Sequence, residues 1–169
     1  MPDQTMIAAA RSLLELCERK KLTIALAESC TGGLLAATLT EIPGSSRVVD
    51  RGYVTYSNEA KQQIGVAGAT LDRYGAVSRE TAEAMAKGVL ANSPATLSAA
   101  ITGIAGPGGE TPGKPVGLVH FAVGASRSGK LIHHEHRYGD IGRANVRRQS
   151  VLQAIGMLLE LAEGEDFPN

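Results

Sequence analysis

Apolar residues recur at intervals of three and four over residues 3–21, where Met6, Ile7, Ala10, Leu13, Leu14 and Cys17 share one side and Arg11, Glu15 and Arg19 the other. That spacing predicts an amphipathic surface helix. Residues 22–27 form a short continuous apolar run, read as a buried strand, and 31–41 return to helical spacing until Pro43-Gly44-Ser45-Ser46 breaks it. Residues 51–57 alternate and are rich in Tyr, Val and Thr, which suits a second strand. Ser57 or Asn58 is placed to cap a short helix carrying Glu59 and Lys61.

The pattern weakens over 65–77, with one helical turn expected at 70–74. Ser78 then caps a helix whose stripe is Ala82, Met85, Ala86, Val89 and Leu90. A buried strand at 97–101 runs into a loop over 102–115 with five glycines and three prolines. Residues 116–123 are apolar on both faces, as in a central strand, and a turn at 126–130 leads to a more polar, edge-like strand at 131–138. A last helix is expected over 143–163, on the stripe Val151, Leu152, Ile155, Leu158, Leu159 and Ala162, with 165–169 frayed. Helices alternate with strands in the first half and a hairpin appears in the second, so the pattern predicts an α/β domain with a mixed sheet covered on both faces.

Composition narrows the function. A length of 169 residues suits one domain. Seventeen basic residues balance seventeen acidic ones, which leaves no electrostatic footprint for nucleic acid. No apolar run nears the roughly 20 residues of a membrane span, and residues 1–11 lack the order of a signal peptide, so a cytoplasmic protein is expected. Cys17 and Cys30 have no metal-type spacing and read as free thiols. A homo-oligomer is compatible with the balanced charge and many small residues.

Candidate chemistry gathers at the first strand-to-helix junction. A hydroxyl at Ser29 there would face unpaired N–H groups, with Thr31, Gly32 and Gly33 allowing close approach of a ligand. The bland alternative is a capping or turn serine, and Cys30 is a rival nucleophile. Lys61 supplies a base, since serine with lysine can cleave an amide without a metal. Residues 108–114 nearly spell a phosphate-binding P-loop, but Pro115 stands where Ser or Thr is needed and a strand follows instead of a helix. The loop is expected to wrap a small anion, with Thr102 at its root. His133, His134 and His136 read as a solvated edge strand, with no metal expected, and His120 as a core histidine. Arg143, Arg147 and Arg148 oppose the dipole of the last helix, so one of the first two is a candidate phosphate ligand.

The runs Ala27-Glu28-Ser29-Cys30-Thr31-Gly32-Gly33, Pro43-Gly44-Ser45-Ser46, Arg51-Gly52-Tyr53-Val54-Thr55-Tyr56-Ser57-Asn58-Glu59-Ala60-Lys61 and Thr102-Gly103-Ile104-Ala105-Gly106-Pro107, with Lys114-Pro115-Val116-Gly117, resemble the CinA carboxy-terminal domain family. They occur in order across nearly the whole chain, which looks like the stand-alone form. The resemblance implies a three-layer α/β/α fold and a metal-free serine amidase, without cofactor, that converts nicotinamide mononucleotide and water to nicotinate mononucleotide and ammonia. By the same resemblance Ser29 is the nucleophile, Lys61 its base and Tyr56 an assistant. Thr31, Gly32, Gly33, Thr102, Gly103, Gly106 and Arg143 then belong to the substrate site. The family's Gly-Asp-Arg run is interrupted here by Ile141 and Gly142, which leaves Arg147 as the alternative to Arg143. The rival function is a non-catalytic nucleotide-binding or regulatory module.

Overall fold

The computed structural model describes residues 1–166. Its elements in order are α1 (Gln4–Lys20), β1 (Ile24–Glu28), α2 (Leu34–Thr40), a 3-10 turn (Ser45–Arg47), β2 (Val49–Val54), α3 (Asn58–Gln63), α4 (Gly68–Tyr74), α5 (Arg79–Ala91), β3 (Leu97–Gly103), β4 (Leu118–Ala125), β5 (Leu131–Arg137) and α6 (Arg143–Gly164). Asp3 caps α1 by accepting from the Met6 N–H, and Lys21 closes it in the left-handed conformation. The expected ends of that helix are its two caps.

The five strands form one mixed sheet in the order β2-β1-β3-β4-β5. β1 runs parallel to both β2 and β3, whereas β3, β4 and β5 are antiparallel neighbours. Side chains of successive strand residues face opposite ways, and here the two faces differ in size. Ile24, Leu26, Ile101, Val119, Phe121 and Val123 pack in the cluster that α1, α2 and α6 cover. Ala25, Ala27, Ala100 and Ala122 meet Met85, Ala86 and Val89 of α5 on the other face. Small residues there let α5 lie close to the sheet. The result is the three-layer α/β/α arrangement. No helix among the described residues is long and apolar enough to cross a membrane.

Close approach continues beside α5. A Cβ on Gly88 would lie 1.9 Å from the Ile64 carbonyl oxygen, a backbone atom that cannot swing aside. Gly88→Ala is therefore expected to destabilise the fold by about 1–3 kcal/mol despite the better helix propensity of alanine. Urea unfolding checks this, and an unchanged midpoint would contradict the packing.

Four local expectations change. α2 begins at Leu34 and not at residue 31, because Gly32 and Gly33 take positive φ and form a turn. β2 lies earlier than 51–57, since its parallel pairing with β1 ends at Glu28↔Val54. α4 is a full helix of seven residues. At the carboxy end, Glu165 is buried rather than frayed, its carbonyl accepting from Lys20 Nζ at 2.8 Å and its carboxylate from the Ser128 hydroxyl. The remainder of that stretch, 167–169, lies outside the described residues.

Candidate active site

β1 lies between two parallel partners, so its carboxyl end opens into the crevice where ligands of such sheets bind. Ser29 follows directly, and its N–H donates to the Ile101 carbonyl of β3 at 3.0 Å. The Glu28 carbonyl accepts from Thr55 N–H at 2.8 Å and holds the chain beyond β2 alongside. Ser57 then caps α3 through the Ala60 N–H, and the short helix turns Lys61 back toward the sheet.

Lys61 is 1% exposed, and its Nζ lies 2.7 Å from the Thr55 carbonyl and 3.1 Å from Ser29 Oγ. Both partners are neutral oxygens. Burial disfavours the ammonium and moves its pKa down from the ordinary lysine value, opposed only by nearby Cys30. The Cys30 thiol is also buried, and burial pushes its pKa up to about 12. A thiol so held stays protonated near neutral pH, and the side-chain hydroxyl that the Lys61 amine contacts is that of Ser29.

Ser29, Lys61, Tyr56, Thr102, Arg143 and the 103–109 loop line a cavity of about 390 Å³. Thr102 donates its hydroxyl to the Ala76 carbonyl at 2.7 Å, so it ties the cavity wall together. Gly103 is required at the root of the loop, where a Cβ would stand 2.8 Å from the Leu118 oxygen. Gly106, at φ +75°, packs against Val116. Arg143 spans the mouth, donating to the Gly106 carbonyl and to the Tyr56 hydroxyl, each at 2.9 Å. Tyr56 is 59% exposed and sits on this rim, bonded to Arg143 and not to Ser29 or Lys61. The lining contains Lys61 and Arg143 but no carboxylate, so it favours an anionic ligand.

The sequence profile of the CinA C-terminal domain matches residues 6–162. The chain belongs to this family. A CinA-like protein of Leptospira borgpetersenii serovar Hardjo-bovis (strain L550) is 48% identical over 151 residues, covering 89% of this chain but 35% of that relative. The chain thus spans about a third of the length of the curated relatives it matches. Among solved structures, the competence/damage inducible protein CihA from Agrobacterium tumefaciens is 51% identical with a TM-score of 0.93, over 95% of this chain and 98% of that one. A CinA superfamily protein from Klebsiella pneumoniae is 31% identical at a TM-score of 0.90, over 96% and 100%.

Within this CinA domain, four residues expected at the substrate site lie off the cavity lining: Thr31, Gly32, Gly33 and Arg147. The Gly32 N–H is engaged by the Ser29 carbonyl at 2.9 Å. Gly33 backs onto Val54, and Arg147 reaches from α6 to the Thr31 carbonyl at 2.9 Å. The first-turn N–H groups of α2 are not open to a ligand either. Glu28, 1% exposed, takes those of Leu35 and Ala36 on its two carboxylate oxygens at 3.0 and 2.9 Å. Sequence reasoning missed this cap, although an acid just ahead of a helix start is the signal for it.

The other candidates have structural roles. Arg148 pairs with Asp3 and joins α6 to α1. Lys114 of the near P-loop donates to the Tyr74 carbonyl at 2.6 Å, outside the cavity lining. The histidines divide between the sheet faces: His133 meets buried His120 at 2.9 Å, while His134 bonds Gln153 and His136 stacks on Tyr138. Among the described residues no three His, Cys, Asp or Glu side chains are grouped to hold a metal ion.

Proposed function

We propose that this CinA domain is a serine amidase that converts nicotinamide mononucleotide and water to nicotinate mononucleotide and ammonia. The observation that carries the reading is the buried Lys61 amine, matched only to neutral oxygens and 3.1 Å from Ser29 Oγ at the wall of an acid-free cavity. A neutral amine donates one proton to the Thr55 carbonyl and offers its lone pair to the Ser29 hydroxyl. It takes the hydroxyl proton as Oγ attacks the carboxamide carbon. The oxyanion is assigned to backbone N–H groups of the cavity wall, among which those of Cys30 and Ala105 are engaged in no turn or loop backbone bond. Lys61 returns the proton to the departing nitrogen, ammonia leaves, and water attacks the acyl-enzyme with Lys61 again as base.

The substrate phosphate is assigned to Arg143 and the glycine-rich loop, and Tyr56, on the rim, serves binding rather than proton transfer. The test is ammonia release from nicotinamide mononucleotide compared with its nucleoside. Losing a charge-assisted contact costs about 1.5–3 kcal/mol, so the nucleoside is expected to be roughly tenfold to a hundredfold poorer in kcat/KM. Equal rates would put the phosphate in solvent. No ammonia from either would leave the non-catalytic nucleotide-binding module.

A further inference from the structure

The segment that carries Ser29 is gripped from outside the cavity by two oppositely charged side chains. On its donor side, the buried Glu28 carboxylate holds the N–H groups of Leu35 and Ala36. On its acceptor side, Arg147 Nη2 holds the Thr31 carbonyl, which also accepts from the Leu34 N–H at 3.0 Å. Glu28 meets no cation and Arg147 no carboxylate in these contacts. Each charge is directed at backbone dipoles. Ser29 and Cys30 lie between Glu28 and the anchored Thr31 carbonyl, the glycine pair and Leu34 lie between Thr31 and the anchored Leu35 N–H, and Gly33 gives α2 no side-chain cap of its own. The local bonds of the turn, Gly32 N–H to the Ser29 carbonyl at 2.9 Å and Leu34 N–H to the Thr31 carbonyl at 3.0 Å, are backbone bonds only, and two glycines at positive φ add freedom and not rigidity.

We propose that Glu28 and Arg147 form a clamp that positions the Ser29 hydroxyl against Lys61, so that both are positioning residues for the amidase reaction proposed above. The clamp explains two features that cap strength alone does not. Arg147, the fifth residue of α6, opposes the dipole of its own helix, yet its charge falls where the turn presents a carbonyl. Glu28 closes the amino end of α2 from the strand side, so the strand end and the helix start are fixed by one residue. The same residue's carbonyl anchors Thr55, whose own carbonyl holds the Lys61 amine. Nucleophile and base are thereby referred to a common support, and displacements of about 1 Å in such a pair are enough to lose catalysis.

The experiment compares Glu28→Gln, Arg147→Ala and a control, Leu161→Ala, which truncates a core residue near the far end of α6. Three readouts are taken on folded protein: kcat and KM for the nucleotide, the second-order rate at which a fluorophosphonate labels Ser29, and the thermal midpoint. In the labelling step Ser29 Oγ bonds phosphorus, fluoride departs and Lys61 takes the hydroxyl proton, so the rate reads the serine and lysine geometry without the nucleotide. Glu28→Gln and Arg147→Ala are each expected to lower kcat and the labelling rate at least tenfold with KM within threefold. Leu161→Ala is expected to lower the midpoint with kcat within twofold. Added guanidinium should restore part of the labelling rate to Arg147→Ala and none to Glu28→Gln. Native labelling rates in both variants, or losses that the control reproduces at the same midpoint, would overturn the clamp. Labelling of native Ser29 without nucleotide hydrolysis would overturn the substrate assignment and leave the clamp standing on the labelling rates.

Discussion

Ser29→Ala is expected to lower ammonia release by about a thousandfold or more while nucleotide binding remains measurable, because the hydroxyl is needed for the covalent step and not for the anion contacts. Its side chain is small and only partly buried, and the turn is held by backbone bonds from Ser29 N–H and carbonyl that alanine preserves. A fall in activity therefore reports chemistry and not misfolding. Cys30→Ala is the paired control. Its thiol, pushed up to about 12 by burial, is protonated throughout the neutral range, and activity within a few-fold of native is expected. Steady-state kinetics with isothermal titration of the nucleotide check both. If Ser29→Ala kept turnover and Cys30→Ala lost it, the sulfur would be the nucleophile, and the pairing of Lys61 with Ser29 would be incidental.

Some of this site was legible in the sequence and some was not, for identifiable reasons. The apolar runs of β1, β3 and β4 were readable because strands buried on both faces carry continuous hydrophobics, and the long stripes of α1, α5 and α6 were readable because one face must meet the sheet. The division of those runs into a large-residue face and an alanine face depends on which helix covers each, and no local pattern states that. Residues 31–33 misled because threonine and two glycines continue toward an apolar stripe, whereas positive φ at both glycines converts them into a turn. Lys61 sits 32 residues from Ser29, and the contact depends on Glu28 pairing with Val54 across parallel strands so that Thr55 and α3 return over β1. Spacing cannot predict that register; the residue types suggested the pair, and the resemblance assigned its roles. The resemblance did not place the supporting residues. Arg147 looked like a phosphate ligand from charge alone, and only the packing of α6 behind the turn shows it on the Thr31 carbonyl.

Lys61→Arg is expected to be as inactive as Lys61→Ala, each about 10²–10⁴-fold below native, because a guanidinium stays protonated and cannot receive the Ser29 proton. In the native protein kcat/KM should rise with pH through an ionisation below the ordinary lysine value of about 10.4, since burial lowers the Lys61 pKa. Near-native turnover by Lys61→Arg would show that the residue acts only as a fixed positive charge. The same depression makes a separate prediction about stability. Between the folded and the ordinary pKa the unfolded chain binds the extra proton, so stability increases as pH climbs through that window and is lowest below the folded pKa. Lys61→Met, which fills similar space without an amine to desolvate, should therefore be inactive yet more resistant to urea than native at pH 7. Its advantage should shrink as pH approaches about 10.4, where the unfolded lysine also gives up its proton. Unfolding midpoints of the two proteins across that range test the sign. A difference independent of pH would mean that Lys61 does not carry a depressed pKa, and the amine would have no lone pair to offer Ser29 near neutrality.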